Sequence, residues 1–123
     1  MFRVGNEYTR EYIHRRIGGS VQAYMPTVSG AVVAACLTMK MNPRAPKVIL
    51  CGKGPIIAKS GATLSKQREP VPVFIKRAVN RWEYQGKFKV VASHSSGPRF
   101  KALVDGSGRN PSDISLAIEL SEH

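Results

Sequence analysis

Alternation of apolar and polar residues is the strongest pattern in this chain, and it predicts mainly strands. In segment 82–93 apolar side chains recur at every second position, which places them on one face of an extended strand. Segment 114–121 alternates in the same way. Gly86 interrupts the first pattern, and a glycine inside a strand often marks a bulge or bend. The face predicted to be apolar comprises Trp82, Tyr84, Phe88, Val90 and Ala92.

Shorter apolar runs predict further strands. Segment 31–38 is apolar on both faces, so we expect it at the centre of a sheet. Pro72 lacks a backbone N–H, so the first residues of strand 71–75 are expected at an edge. The other predicted strands are 20–25 and 48–51, and the predicted loops are 39–46, 76–81, 93–97 and 105–111.

Two short helices are predicted, the first after Thr9 and the second over 56–67. Thr9 is a good N-cap, and Tyr8 and Ile13 have the spacing of a hydrophobic staple. The pair Gly18-Gly19 ends this helix, because glycine adopts the left-handed conformation without strain. One face of the first helix carries Arg10, His14 and Ile17.

Six or seven mostly antiparallel strands with two short helices indicate an α+β fold, mainly β, built as a small curled sheet or barrel. The 123 residues suffice for one core, so we expect a single domain over 1–123. Segment 1–6 has no apolar signal core, and no apolar run approaches the roughly 18 residues of a membrane helix. Cys36 and Cys51 lie in apolar runs and are expected to be buried, reduced thiols of a cytoplasmic protein.

Charge adds a partner class to this picture. The chain has 19 Lys and Arg against eight Asp and Glu, a net charge of +11. Residues 1–101 contain eighteen of the bases and four of the acids. A field of this size on a small domain favours a polyanion, because binding releases the counterions condensed on the phosphates. The charge predicts a nucleic-acid partner without distinguishing DNA from RNA.

Patterns of the common enzyme sites are absent from the sequence. Around Gly52-Lys53 the first glycine and the final Ser or Thr of a phosphate-binding loop are missing. The three histidines are far apart, and the two cysteines do not have zinc-ligand spacing. No two carboxylates have a spacing that predicts an acid–base pair. We therefore expect a binding protein that is not an enzyme and has no cofactor and no metal.

A specific resemblance begins at the first helix. Tyr-x-Arg followed by Ile-His-x-Arg-x-Gly-Gly-x-x-Gln over 8–22 resembles the opening of SRA-type domains in McrA-like HNH restriction endonucleases. Segments 71–75 and 82–90 look like a strand pair that these domains share with other PUA-like readers. The matching positions of the first segment are Tyr8, Arg10, Ile13, His14, Arg16, Gly18, Gly19 and Gln22.

The resemblance implies a PUA-like or SRA-like domain that reads modified, flipped-base DNA in a restriction or defence context, with a separate nuclease or effector as a further partner. Such a reader needs an apolar pocket with a few polar groups and a basic rim. The candidate rim is Arg10, Arg15, Arg16, Lys53, Lys76, Arg77 and Arg81. The candidate pocket residues are His14, Gln22, Tyr24, Asn80 and Trp82.

Alternatives remain open for residues and for function. His14 has the alternative of a core histidine bonded to a backbone carbonyl, and Trp82 has the alternative of a core aromatic residue. The whole chain has the alternatives of an RNA-binding PUA-like module, since these barrels also serve RNA, and of a basic accessory subunit that docks an acidic protein.

Overall fold

Eight strands and three α-helices make up the computed structural model, which describes all of residues 1–123. The strands are β1 (Glu7–Tyr8), β2 (Thr27–Val28), β3 (Ala31–Val32), β4 (Ala35–Leu37), β5 (Val48–Gly52), β6 (Val71–Ala78), β7 (Arg81–His94) and β8 (Ile114–Glu122). The helices are α1 (Arg10–Ile17), α2 (Pro55–Ser65) and α3 (Gly97–Val104), and one turn of 3-10 helix occupies Pro111–Asp113. The predicted α+β class, mainly β, is confirmed.

The strands form one mixed sheet and one small hairpin. The sheet has the order β4-β6-β7-β8-β5, with β1 paired to β7, and β2 pairs with β3 separately. Only the β4–β6 pair is parallel. Pairing with β4 begins at Val73, so Val71 and Pro72 have no strand neighbour on that side. This is the edge position that Pro72 predicts.

Apolar side chains pack on both faces of the sheet. The large core, which includes α2, comprises Met25, Val32, Ala35, Leu37, Ile49, Cys51, Leu64, Val71, Val73, Phe88, Ile118 and Leu120. The α1 core comprises Ile13, Ala34, Cys36, Phe74, Trp82 and Tyr84. The α3 core comprises Val48, Leu50, Phe100, Leu103, Val104, Ile114 and Ala117. Successive residues of a strand point to opposite faces, so the large core lies on one face and the other two lie on the opposite face.

The prediction that Trp82, Tyr84 and Phe88 share one face of β7 is wrong. Trp82 and Tyr84 belong to the α1 core, whereas Phe88 belongs to the large core. The cause is a β-bulge: Val73 pairs with Gly86 and Phe74 with Tyr84, so the residue between has no counterpart. One extra residue reverses the alternation, and Gly86 accommodates the bulge with a φ of +111°. The glycine signal is confirmed, but its effect on the faces was missed.

Several other elements differ from the predictions. Segment 20–25 contains no strand, and β1 and α3 were not predicted. Segment 31–38 divides into β3 and β4, and β4 is an edge strand rather than a central one. Its apolar character on both faces reflects burial by the large core and the α1 core, and the Cys36 N–H donates to the carbonyl of Tyr24 at 2.7 Å across the free edge. Strand β6 continues to Ala78, so the predicted turn 76–81 contracts to two residues.

Helices α1 and α2 follow their sequence signals. The Thr9 side chain accepts a hydrogen bond from the N–H of Tyr12, and Gly18 ends α1 with a φ of +80°. Gly61, unfavourable for a helix, lets α2 approach β5 closely, because a Cβ there would lie 2.7 Å from the Cys51 sulfur. None of the helices has the length and apolar character needed to cross a bilayer.

Both cysteines are expected to react slowly with thiol reagents in the native protein. Their thiols are free and buried, and burial raises the pKa of Cys36 to about 11 and that of Cys51 to about 12. The thiolate is the reactive form of cysteine. Because both pKa values are raised, the thiolate is scarce near pH 8, and burial keeps both sulfur atoms away from the reagent. Labelling followed by mass spectrometry should modify both residues only after denaturation. Rapid labelling of either residue in the folded chain would contradict this burial.

Candidate nucleic-acid interface

Arg10, predicted for the basic rim, instead lies in the interior. Its side chain is 6% exposed, and its guanidinium lies 5.0 Å from the centre of the Trp82 ring. The Nη2 group donates to the carbonyl oxygens of Ser20 at 3.1 Å and Ala23 at 2.6 Å. Arg10 therefore anchors the segment that follows α1, and that segment carries the predicted pocket residues Gln22 and Tyr24.

His14 completes the same buried network. Its Nδ1 donates to the Gly18 carbonyl at 2.7 Å, and its Nε2 accepts from Arg10 Nε at 2.9 Å. This pattern requires the neutral ring with the proton on Nδ1. Burial, and then the positive charge of Arg10, lower the pKa of His14, against the opposing effect of the bond to Gly18. The geometry matches the alternative of a core histidine bonded to a backbone carbonyl.

Trp82 and Asn80 are likewise engaged within the fold. Trp82 is 5% exposed, and the Lys76 ammonium lies 5.8 Å from the centre of its ring. Asn80, at the tip of the β6–β7 turn with a φ of +52°, accepts from the Arg10 N–H at 2.9 Å and donates to Glu11 at 2.8 Å. Its amide therefore fastens the hairpin turn to the first turn of α1.

The other predicted residues reach solvent at different places. Arg77 pairs with Glu83 at 2.9 Å and Arg81 with Glu7 at 3.2 Å, both on the hairpin. Arg16 stacks over the Tyr12 ring at 4.8 Å, on α1. The remaining exposed members are Arg15, Gln22, Tyr24, Lys53 and Lys76. Gln22 and Tyr24 thus lie in one region, together with Gly54, the residue that follows Lys53. Lys76, Arg77 and Arg81 lie in another region, on the β6–β7 hairpin.

The region of Gln22 and Tyr24 is concave. A groove of about 650 Å³ lies between the segment 20–27 and the N-terminal turn of α2, where Gly54-Pro55 follows Lys53. An inner cavity of about 100 Å³ adjoins it, lined largely by apolar side chains. Tyr24, Met25 and Ile57 line both spaces. Tyr24 is 47% exposed, so its ring is available at the junction between them.

Arg109 is a wall residue of the inner cavity that sequence analysis missed. Its Nη1 donates to the carbonyls of Met41 at 2.9 Å and Leu50 at 3.2 Å. Arg109 is held in place by Met41 and Leu50, which precede it by 68 and 59 residues. No local sequence pattern signals such distant contacts. A single arginine in a Gly- and Ser-containing loop gave no reason to single it out.

Neither the groove nor the inner cavity is lined by an acidic residue. Among the 19 Lys and Arg, only Arg77, Arg81 and Arg99 form ion pairs. Most of the positive charge is therefore uncompensated by carboxylates. The domain has a net charge of +11, and its concave surface has no acidic residue and one exposed aromatic ring. Such a surface can bind a polyanion together with an apolar group that the polyanion carries.

Comparison with known proteins supplies a family and a fold. Residues 7–104 match the family described as Domain of unknown function (DUF6697). The chain belongs to the DUF6697 family. The crystal structure of an SUVH5 SRA domain in complex with hemimethylated CG DNA is similar over 98% of this chain and 88% of that chain, with a TM-score of 0.65 and 14% identity. A comparison with curated proteins gave no significant match.

The SRA-like fold expected from segments 8–22, 71–75 and 82–90 is confirmed by this structural similarity. The DUF6697 match includes Gln22, Tyr24 and Lys53 but ends before Arg109 and β8. The groove therefore lies within the family match, whereas one wall of the inner cavity comes from the segment beyond it.

Proposed function

We propose that this chain is a non-catalytic module that binds duplex DNA and reads a modified, extruded nucleotide at the groove and inner cavity. The observation that carries the proposal is the acid-free concavity with Tyr24 at its junction, on a domain of +11. The SRA-like fold supports it, because the similar SUVH5 domain is described in complex with hemimethylated CG DNA.

Such a site binds an extruded base when stacking of the base on an aromatic ring offsets the cost of extruding it from the duplex. Extruding a base from the duplex costs a few kcal/mol, least when the base is mismatched or modified. Stacking on an aromatic ring recovers about 1–3 kcal/mol per base in single-strand binders. Tyr24 offers a half-exposed ring for that purpose, and Gln22 on the same segment offers an amide that both donates and accepts.

The predicted rim and pocket residues then take different roles. Lys53 precedes Gly54 and Pro55, which line the groove, and it would contact a phosphate there. The other predicted rim residues lie on α1 and the β6–β7 hairpin and would contact phosphates farther along the duplex; they are Arg15, Arg16, Lys76, Arg77 and Arg81. Arg10, His14, Asn80 and Trp82 act as positioning residues, because they hold the segment 18–24 and the hairpin against α1. The resemblance of 8–22 to McrA-like endonucleases supports a restriction or defence setting with a separate nuclease partner.

Affinity for duplex DNA is expected to fall steeply with salt. Each phosphate that the protein neutralises adds about −0.9 to the slope of log affinity against log salt. Lys53→Ala should weaken binding to all sequences and reduce that slope by about one. Lys89→Ala removes the same charge from an exposed position on β7 outside the groove and should leave the affinity unchanged. Fluorescence anisotropy at two salt concentrations measures both effects.

The same titrations separate the alternatives. Matched DNA and RNA probes, each with and without modified bases, should show tighter binding to modified DNA. Preferential binding of RNA would replace the proposal with an RNA-binding module. Salt-independent binding, or no binding to either nucleic acid, would refute a nucleic-acid function and favour docking to an acidic protein.

A further inference from the structure

The Arg16 side chain is held by an aromatic ring, but the chain leaves its N–H groups without acceptors. Its guanidinium lies 4.8 Å from the centre of the Tyr12 ring. Residues 12 and 16 are about one helical turn apart, so they lie on the same side of α1. Arg16 is exposed, and its side chain forms no hydrogen bond or ion pair within the chain.

The aromatic support of this guanidinium is itself fixed by the fold. Tyr12 stacks on Tyr8, with 5.2 Å between the ring centres and an angle of 16° between the rings. Tyr8 pairs with Trp82 in the sheet, and its hydroxyl accepts from the Arg3 N–H at 2.8 Å. Phe2 contacts both tyrosine rings edge-on. The ring that carries the guanidinium therefore has a defined position before any ligand binds.

Other arginines with a defined position use their donors inside the chain. Some pair with glutamates and others donate to backbone carbonyls; they are Arg10, Arg44, Arg77, Arg81, Arg99 and Arg109. The one acid of α1, Glu11, accepts from Asn80 at 2.8 Å and does not pair with Arg16. Arg16 thus combines a fixed side chain with unused donors, which suits an anion from outside the chain.

The last turn of α1, which contains Arg16, borders the wall of the groove. Gly18 ends the helix so close to β2 that a Cβ at this position would lie 3.1 Å from the Val28 side chain. Thr27, the other residue of β2, lines the groove. A duplex with one nucleotide in the groove can therefore bring a phosphate farther along its backbone to this end of α1.

We propose that Tyr12 positions the Arg16 guanidinium to bind a phosphodiester of the DNA backbone through two N–H groups, and this inference rests on the proposed DNA-binding function. The planar fork of arginine matches two phosphate oxygens, whereas the ammonium of lysine acts as a point charge. A mobile arginine loses rotamer freedom when it binds, but Tyr12 restricts that freedom beforehand. Tyr12 is a positioning residue that increases affinity without contacting DNA.

The test measures the affinity of the full chain for one duplex by fluorescence anisotropy. Tyr12→Leu keeps the charge and the helix propensity but removes the ring, and it should weaken binding about two- to tenfold. Tyr12→Phe retains the ring and should bind like the unaltered chain. Arg16→Ala should weaken binding about tenfold and reduce the salt slope by about one. Thermal unfolding checks that each variant is folded.

Double variants distinguish positioning of Arg16 from a general structural role of Tyr12. If Tyr12 acts through Arg16, Tyr12→Leu should have no further effect on affinity in the Arg16→Ala background. Arg15, the adjacent exposed arginine, provides the matched control. In the Arg15→Ala background Tyr12→Leu should keep its full effect, because Arg15 lies over no aromatic ring.

Arg16→Lys provides a second test that leaves Tyr12 in place. It keeps the charge but removes the planar fork, so it should weaken binding severalfold with the salt slope unchanged. Affinity equal to that of the unaltered chain would overturn the two-donor contact, whether or not Tyr12→Leu folds.

The outcomes separate this inference from the function on which it rests. Unchanged affinity in folded Tyr12→Leu, or equal effects of that substitution with and without Arg16, would overturn the positioning role. An unchanged salt slope in Arg16→Ala would overturn the phosphate contact. Each of these results leaves DNA binding intact, whereas absence of DNA binding in the unaltered chain would overturn the proposed function itself.

Discussion

Phe88→Ala is expected to lower the free energy of unfolding by about 3–5 kcal/mol, the usual cost of deleting a buried aromatic side chain. Phe88 is 2% exposed and lies in the large core, where it pairs across the sheet with Val71. Truncation leaves a cavity that rigid neighbours on β6 and β8 cannot close. Urea denaturation followed by circular dichroism measures the change.

Val91→Ala is the matched control on the same strand. Val91 is 56% exposed and lies at a register irregularity, between residues that pair with Leu120 and Glu119. Its truncation should change stability by less than about 0.5 kcal/mol, as is usual for surface positions. A Phe88→Ala variant as stable as Val91→Ala would show that the bulge at Gly86 does not turn Phe88 into the core.

Trp82→Ala is expected to destabilise the fold by a similar amount, about 3–5 kcal/mol. The indole is buried in the α1 core and faces the Arg10 guanidinium, which would be left against a void. Because Arg10 holds Ser20 and Ala23, the segment carrying Tyr24 should also loosen. Thermal unfolding measures the stability, and hydrogen exchange of the amides of 20–25 measures the loosening.

Trp82→Phe serves as the conservative control, since it keeps an aromatic face beneath Arg10 and should retain most of the stability. Binding distinguishes the two roles considered for this residue. If Trp82→Ala remained as stable as the unaltered protein and lost about 1–3 kcal/mol of DNA affinity, the indole would be a stacking platform rather than core.

Local signals in the sequence predicted the elements whose causes are local. The N-cap at Thr9 and the stop at Gly18-Gly19 determine α1 through atoms within a few residues of each other. Strand β8 is predicted by its own alternation, and β5 by its apolar run. These elements need no knowledge of what packs against them.

Elements that depend on distant partners were missed or misplaced. The two residues of β1 become a strand because Glu7 and Tyr8 lie against Glu83 and Trp82. Segment 20–25 was predicted as a strand, but Arg10 and Cys36 donate hydrogen bonds to its carbonyls and hold it as an irregular connection. Tertiary contacts outweigh propensity at such positions.

The candidate site shows the same division. Gln22, a matching position of the family resemblance, and Tyr24, a predicted pocket residue, both line the groove, whereas Arg10, His14 and Trp82 are buried. A basic residue close to a site in sequence gives no indication of whether it faces the ligand or supports the wall. Arg109 could not be found, because only the folded chain brings it to Gly52.

The bulge in β7 also has a consequence for how the protein unfolds. One continuous strand contributes Trp82 and Tyr84 to one side of the sheet and Phe88 to the other. Strand β6 pairs with its first half, from Arg81 to Phe88, and β8 with its second half, from Phe88 to His94. If the core on one face of the sheet unfolded first, β7 would have to lose its strand structure while it still contributed side chains to the core on the other face. We therefore expect the two sides to unfold as one cooperative unit, whereas a loop anchored to that unit, such as the one that carries Tyr24, can open locally without global unfolding.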